Sequence, residues 1–209
     1  MASLHVKMST VLYAVEVAGI IAFAFSGFIE ARQKNMDAVG VFTVAFVTAF
    51  GGGTLRDLLL DRRPLFWVEH QEYLILVFAL TLIAIPFSRH LRHAFAEKII
   101  NYADALGLGL FSITGASLAA DAQMPIFVCV MMGVITAVFG GVLRDIICNE
   151  IPLVFKRGEL YATCSFIGCW TYLLLEKINV TQPIALLIGI AVTFVMRSMA
   201  VRFHLTLPG

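Results

Sequence analysis

Long apolar segments alternate with short polar ones along the whole of this 209-residue chain. A helix needs about 20 apolar residues to cross a bilayer, and the segments have roughly that length. Polar turns separate them, and a proline at position 64 ends the second segment because proline cannot continue a helix. The pattern predicts seven membrane-spanning helices, at about residues 11–28, 38–60, 73–87, 101–119, 125–148, 161–175 and 183–201.

The composition supports an all-α integral membrane protein. Hydrophobic residues make up 60% of the chain, charged residues 14%, and the mean hydropathy is +0.90. A soluble domain carries about 25% charged residues. The net charge of +1 gives no reason to expect a nucleic-acid partner. Since no small-residue cleavage site follows the first apolar run, we interpret that run as a retained first helix.

An internal repeat is the strongest signal in the sequence. The segment GGGTLRD at 51–57 has a second copy, FGGVLRD, at 139–145, so that Arg144 follows Arg56 by 88 residues (144 − 56). The same offset pairs Glu16 with Asp104, Gly19 with Gly107, Phe23 with Phe111, Ser26 with Thr114, Gly27 with Gly115, Thr48 with Thr136, Asp57 with Asp145 and Pro64-Leu65 with Pro152-Leu153. We expect two three-helix repeats, 1–88 and 89–176, followed by a seventh helix and tail, 177–209.

The odd number of spans in each repeat has a topological consequence. The second repeat must enter the membrane from the opposite side, so the two repeats are predicted to be inverted. Inverted repeats are related by an axis in the membrane plane, and transport sites lie near the midplane between them.

The distribution of basic residues predicts the orientation. The side of the N-terminus carries four, Lys7, Arg62, Arg63 and Lys177, and the other side carries eight, Arg32, Lys34, Arg89, Arg92, Lys98, Lys156, Arg157 and Arg202. Basic residues are enriched on the cytoplasmic side. We therefore expect the N-terminus outside and the C-terminus in the cytoplasm.

The repeated motif places glycines and charges where both are costly. Glycine inside a helix costs about 1 kcal/mol relative to alanine, and a charge at the bilayer centre costs about 3 kcal/mol or more. Unwinding at the glycines would free backbone carbonyls, which suit a weakly held monovalent cation and are tolerated where they line a cavity. The expected cation path lies along Gly51, Gly52, Gly53, Gly140 and Gly141.

The charges of the motif lead to a pairing hypothesis. Neighbouring side chains on a helix point about 100° apart, so we expect Arg56 to pair with Asp145, and Arg144 with Asp57, across the repeats. Glu16 and Asp104 raise the count to four acids against two arginines, which favours a cation. The arginines themselves repel cations and could act as clamps or as a gate.

Other readings of the same residues remain open. The glycines could serve only close helix packing, and the charged groups could form a buried network that holds the fold. Ser26, Thr48, Thr114 and Thr136 could line a polar path or bond to carbonyls of their own helices.

Several remaining polar, aromatic and sulfur-containing residues suggest structural roles. The four cysteines lie in or beside apolar segments and are expected to be small buried side chains, not metal ligands or disulfides. His90 and His93 are placed in a basic linker at 88–98. Trp67, Tyr73, Tyr161 and Trp170 are typical of membrane-interface anchors.

The paired Gly-Gly-x-x-Arg-Asp segments, each with a proline seven residues after its aspartate, resemble the prokaryotic trimeric intracellular cation (TRIC) channel family, also labelled a glycine-transporter-like domain family. The resemblance covers nearly the whole chain. It implies a homotrimer in a prokaryotic inner membrane, with a pore in each protomer lined by glycine-broken second and fifth helices. It also implies passage of potassium, with sodium as a second ion, and contact with membrane lipids. Arg56, Asp57, Arg144 and Asp145 would lie just below the kinks.

Competing functions are a small-molecule carrier of the glycine-transporter type and a non-transporting scaffold. Inverted repeats with broken helices are also the architecture of alternating-access carriers. A scaffold has little use for a symmetric polar midplane. The sequence carries no motif of an intramembrane enzyme, and no cofactor is expected.

Overall fold

The computed structural model describes residues 2–87, 93–156 and 160–206. In that part of the chain the fold is built from α-helices joined by short turns. They are α1 (Ala2–Gln33), α2 (Ala38–Leu59), α3 (Phe66–Glu69), α4 (Gln71–Phe87), α5 (His93–Asp121), α6 (Ile126–Ile147), α7 (Ala162–Lys177) and α8 (Gln182–Phe203). A single 3-10 turn, Leu153–Phe155, follows α6.

Five of the helices are long and apolar enough to cross a membrane. These spans are Val11–Gln33, Ala38–Leu59, Lys98–Asp121, Ile126–Ile147 and Gln182–Phe203. The apolar segment of α4, Gln71–Pro86, is shorter, and α7 has 16 residues, or about 24 Å of helix. The chain is thus an all-helical membrane protein, while the count of seven spans stays a prediction.

Only the C-terminal part of the basic linker predicted at 88–98 lies among the described residues. Residues 88–92, including His90, lie outside the described part of the chain. From His93 onward the backbone is already helical and belongs to α5. The predicted linker was therefore too long at its C-terminal end.

The ends of equivalent helices share one backbone conformation. Asn35 and Gln123, 88 residues apart, have φ of 57° each, and Asp61 and Asn149, also 88 apart, have φ of 52° and 58°. A residue in the left-handed region is a common way to end a helix. The repeat seen in the sequence thus extends to the turns that end α1, α2, α5 and α6.

Contacts between the repeats are reciprocal. Gly19 packs on the ring of Phe111, Gly107 packs on the ring of Phe23, and the two rings stack with centroids 5.3 Å apart. Position 19 thus meets 111 while position 23 meets 107, so α1 and α5 run in opposite senses. A reciprocal exchange of this kind is the mark of two-fold symmetry. Equivalent helices that run in opposite senses agree with inverted repeats.

The helix outside the repeats, α8, packs against α5 and α7. Its buried residues include Ala185, Leu186 and Ile190, which join a second apolar core with Ile113 and Tyr172. The four cysteines are free and buried, as expected of small apolar side chains.

Candidate functional site

Each of the two motif arginines lies in a buried polar cluster. The second cluster, in the second repeat, is built around Arg144, near the end of α6. Its Nη1 atom donates to Asp104 Oδ1 at 2.7 Å and to Ser26 Oγ at 2.6 Å. Its Nε atom donates to Asp145 Oδ1 at 2.9 Å. The arginine is 1% exposed, so these bonds lie away from solvent. A buried charge must be paired and hydrogen-bonded to be tolerated, and Arg144 meets that requirement.

The first polar cluster is built around Arg56, near the end of α2. Its Nε atom donates to Asp57 Oδ1 at 2.9 Å, while its Nη1 atom lies 3.5 Å from Glu16 Oε1. The guanidinium also lies over the ring of Phe66, 5.1 Å from the centroid. The side chain of Glu16 is 16% exposed, whereas that of its equivalent Asp104 is 1% exposed. In the first cluster the arginine is therefore farther from this acid, and the acid is more exposed to solvent, than in the second cluster.

The predicted pairing across the repeats is wrong. Each arginine pairs with the aspartate that follows it, Arg56 with Asp57 and Arg144 with Asp145. The reason lies in the second carboxylate oxygen. Asp57 Oδ2 accepts from the backbone N–H of Phe66 at 2.8 Å, and Asp145 Oδ2 accepts from that of Leu153 at 3.0 Å.

These two bonds explain the proline that follows each motif. The Pro-Leu segments at 64–65 and 152–153 carry the chain back under the helix end, where a backbone N–H reaches the aspartate. The aspartate is thereby held at its own helix end. The arginine side chain is long enough to reach this aspartate, although the Cβ atoms of the two residues point in different directions.

The glycines do not unwind the helices. Both α2 and α6 run unbroken through them, so the predicted breaks are wrong for the described structure. A Cβ atom at Gly52 would collide with the carbonyl oxygen of Thr136, and one at Gly140 with that of Thr48. The glycines thus let α2 and α6 cross backbone to backbone, which is the packing alternative.

The predicted hydroxyl groups are all buried, but they differ in their partners. Thr48, Thr114 and Thr136 donate to the carbonyls of Val44, Leu110 and Met132, four residues earlier in their own helices. Ser26 instead accepts the bond from Arg144. Of the four, it alone is described with a bond to a charged group.

Each cluster lies at the inner end of a cavity. The first cavity, of about 450 Å³, is lined by Tyr13, Glu16, Arg56 and Arg62 among others. The second, of about 400 Å³, is lined by Asn101, Arg144, Asp145 and Glu150 among others. The positions 13, 56 and 62 correspond to 101, 144 and 150 by the 88-residue offset, so the two cavities are symmetry-equivalent.

The two cavities open toward opposite ends of the molecule. Helix α1 borders the first cavity at Leu12 and Glu16, near the start of its apolar span, and the second cavity at Glu30 and Gln33, at its C-terminal end. Glu16 and Glu30 are about 21 Å apart along the helix axis. The stacked pair Phe23–Phe111 and the crossing at Gly52 and Gly140 lie between the cavities. The structure is thus closed at its centre.

The mouth of the second cavity is bridged by an ion pair that joins the two repeats. Lys34 Nζ lies 2.6 Å from Glu150 Oε1, and Lys156 lies 3.7 Å from the other oxygen. The hydrogen bond from Lys34 lowers the pKa of Glu150, and the same bond raises the pKa of Lys34. At the first mouth the residue equivalent to Glu150 is Arg62.

Sequence reasoning missed or misplaced three residues of the clusters. Tyr73 and Tyr161, expected at the membrane interface, are 1% and 5% exposed and therefore buried. Arg197 of α8, 2% exposed, was not singled out. A charge inside an otherwise apolar span was the available signal for Arg197, and the 88-residue spacing was the signal for the tyrosine pair.

Solved structures with the same fold place the chain in a class. It aligns with the TRIC trimeric intracellular cation channel orthologue from Rhodobacter sphaeroides at 33% identity, with TM-score 0.87 and coverage of 93% of this chain and 99% of the other. A second structure, described as a basis for conductance through TRIC cation channels, gives 39% identity, TM-score 0.82 and coverage of 94% and 95%. The chain is thus a TRIC-like membrane protein, and these structural relatives are ion channels, not enzymes.

The family comparison and the curated relatives point to the same class of membrane protein. The family described as "Glycine transporter" matches twice, over residues 13–89 and 101–177, and the chain belongs to this family. The UPF0126 inner membrane protein YadS of Escherichia coli K12 is 36% identical over 198 residues, which cover 94% of this chain and 95% of that protein. A UPF0126 membrane protein of Vibrio cholerae is 36% identical over 203 residues, covering 96% and 83%.

Proposed function

We propose that this chain is a cation channel that passes monovalent cations, potassium foremost and sodium as a second ion. The observation that carries the proposal is the pair of equivalent polar cavities, which approach each other from opposite ends and stop at Arg56 and Arg144. We expect a path to form between them by a rearrangement at the crossing of α2 and α6. The structural relatives described as TRIC cation channels support the same function.

The charges along this path favour a cation. In the first cluster Glu16 and Asp57 face one arginine, Arg56, which leaves a formal charge of −1. A cleft with low-dielectric walls concentrates the field of such a charge and raises the local concentration of the opposite ion. Arg56, held at 3.5 Å from a half-buried Glu16, is the charged group that we expect to move aside.

The finer features of the proposal follow the resemblance. We propose a homotrimer with one pore in each protomer, contacts with membrane lipids, and a path that passes Gly51, Gly52, Gly53, Gly140 and Gly141. The proposed units are 1–88, 89–176 and 177–209, in a prokaryotic inner membrane, with the N-terminus outside and the C-terminus cytoplasmic. A reporter that is active only in the cytoplasm, fused to the C-terminus, tests the orientation, and an inactive fusion with an active N-terminal one would reverse it.

The decisive experiment is a planar-bilayer recording of the purified protein in asymmetric potassium chloride, followed by bi-ionic potassium and sodium solutions. Unitary currents that reverse near the potassium potential are expected. The Arg202→Met variant is a suitable control, because Arg202 lies over the ring of Phe203 near the end of α8 and outside both clusters. Protein that is folded but gives no unitary current would contradict the proposal.

A small-molecule carrier is the second candidate. Two cavities that open to opposite ends around a closed centre are also what alternating access requires, and the family carries the description of a glycine transporter. Saturable uptake of labelled glycine into vesicles, without unitary currents, would favour the carrier. Currents without saturable uptake would favour the channel.

A further inference from the structure

A third buried arginine, Arg197, comes from the helix that lies outside the repeats. It is 2% exposed and belongs to α8, so the 88-residue symmetry supplies no counterpart to it. Arg56, Arg144 and Arg197 are among the largest fully buried side chains in the described part of the chain. A membrane-embedded charge of this kind is a functional candidate with a partner to be named.

Arg197 contacts the segment that leads into α7. Its Nη1 atom donates to the carbonyl oxygen of Leu160 at 3.0 Å. Its guanidinium lies over the ring of Tyr161, 5.0 Å from the centroid, in a cation–π contact. Arg197 therefore fixes both the backbone before Tyr161 and the ring itself.

The hydroxyl group of Tyr161 lies at the second cluster. A Cβ atom placed at Gly141 would be 3.0 Å from Tyr161 Oη, 3.6 Å from Asp104 Oδ1 and 3.7 Å from Arg144 Nη2. These three groups thus converge on one point at the inner end of the second cavity. Any displacement of the Tyr161 ring changes the surroundings of the Asp104–Arg144 pair.

The equivalent place in the first repeat is built differently. The space at Gly53, which corresponds to Gly141, is filled by the ring of Phe66. Tyr73, which corresponds to Tyr161, contacts the rings of Tyr13 and His70, at 5.6 Å and 5.1 Å. The first cluster therefore has an apolar ring where the second has a hydroxyl group.

Arg197 also changes the charge of its end. Arg197 brings a positive charge against the ring of Tyr161, whose hydroxyl group lies beside Asp104 and Arg144. Helix α8 thus adds to the second end of the path a charged group that the 88-residue repeat does not contain.

We propose that Arg197 is a positioning residue of the second cluster. It holds Tyr161 against the Asp104–Arg144 pair and adds a positive charge near that end of the path. The inference rests on the proposed channel function. It assigns to α8 the control of one end of the path.

Single-channel recordings of four variants test the proposal. Arg197→Met removes the charge at similar length, Arg197→Lys keeps it, Tyr161→Phe removes only the hydroxyl group, and Arg202→Met is the matched control on the same helix. We expect Arg197→Met to change the ratio of currents at equal and opposite voltages by about twofold or more, because the second end gains a formal negative charge. Arg197→Lys and Arg202→Met should keep the ratio of the unmodified protein.

The double variant Arg197→Met/Tyr161→Phe tests whether Arg197 acts through Tyr161. Without the hydroxyl group the position of the ring matters less, so Arg197→Met should add little to the change in open probability that Tyr161→Phe causes. Additive effects, or a folded Arg197→Met protein with unchanged current ratio and open probability, would overturn the inference. If Arg197→Met does not fold, an unchanged open probability in Tyr161→Phe would overturn it instead. A silent unmodified protein would contradict the proposed function, and this inference with it.

Discussion

Arg144 Nη1 lies 2.6 Å from the Oγ atom of Ser26, and this bond joins the second repeat to the first. The equivalent hydroxyl group, that of Thr114, donates to the carbonyl of Leu110 in its own helix at 2.8 Å. The two clusters are therefore alike in sequence position but unlike in how firmly they are held. Arg144 is bonded across the repeats, while Arg56 is bonded to Asp57 and lies 3.5 Å from Glu16, both in its own repeat.

Removal of the Ser26 hydroxyl group should weaken the second cluster. A hydrogen bond to a charged group contributes about 1.5–3 kcal/mol, so Ser26→Ala is expected to lower the free energy of unfolding by that amount. Thr114→Val, the equivalent deletion, removes a bond within one helix and should cost less. Thermal unfolding in detergent compares the two variants, and an equal loss for both would contradict the special role of Ser26.

The two arginines should respond differently to the same substitution. Arg144→Met leaves Asp104 and Asp145 buried without their partner, which is expected to cost about 3–5 kcal/mol and to reduce the yield of folded protein sharply. Arg56→Met leaves the buried Asp57 and also Glu16, whose side chain is 16% exposed and next to a cavity, so the loss should be smaller. Yield and thermal midpoint measure the first effect, and single-channel open probability measures the effect at Arg56. Comparable loss of folding in both variants would show that the clusters are equally structural.

Close approach of α2 and α6 should make two glycines irreplaceable. Gly52→Ala and Gly140→Ala would drive a methyl group against the carbonyl oxygens of Thr136 and Thr48, which are backbone atoms and cannot move aside cheaply. Forcing such a contact typically costs about 1–3 kcal/mol or more. Gly51→Ala is the matched control on the same helix, because the nearest atom to its Cβ is Leu143 Cδ1 at 2.6 Å, the far end of a flexible side chain that can rotate away. Normal folding of Gly140→Ala would contradict the packing role.

The 88-residue offset is visible in the sequence without a structure, and residues that it pairs, such as Gly19 and Gly107, make reciprocal contacts. Of the residues that the offset pairs, Glu16 and Arg56 line the first cavity, Arg144 lines the second, and Asp104 is bonded to Arg144. Helix positions follow for the same reason, since apolar length determines which segments can cross a bilayer.

The partners of the arginines could not be predicted in this way. The direction of neighbouring Cβ atoms argues against an Arg56–Asp57 pair, but the backbone N–H of Phe66, brought back by the turn after α2, decides where the carboxylate lies. The glycines were wrongly predicted to break α2 and α6. A helix accepts glycine without unwinding where the backbone of a second helix packs directly against it. Arg197 was missed because its contact with Tyr161 joins α8 to a repeat, where internal symmetry gives no guidance, and Tyr161 was wrongly expected at the membrane interface.

The ion pair between Lys34 and Glu150 should make stability depend on pH at both extremes. The pKa of Glu150 is lowered by the hydrogen bond from Lys34, so the stabilisation is present above the ordinary carboxyl value of 4.5 and is lost as the pH falls through the lowered pKa. The pKa of Lys34 is raised by the same bond, so the contribution is present below 10.5 and is lost as the pH rises through the raised pKa.

The measurement is the difference in thermal midpoint between the unmodified protein and Glu150→Gln across this range. We expect a positive difference at neutral pH that shrinks toward acid. High salt should reduce it as well, because both side chains are partly exposed and their charges are screened. Glu69→Gln, at the mouth of the first cavity, is the control for loss of a carboxylate elsewhere. A difference that persists under strongly acidic conditions would show that Glu150 stabilises the mouth of the second cavity by packing and not by its charge.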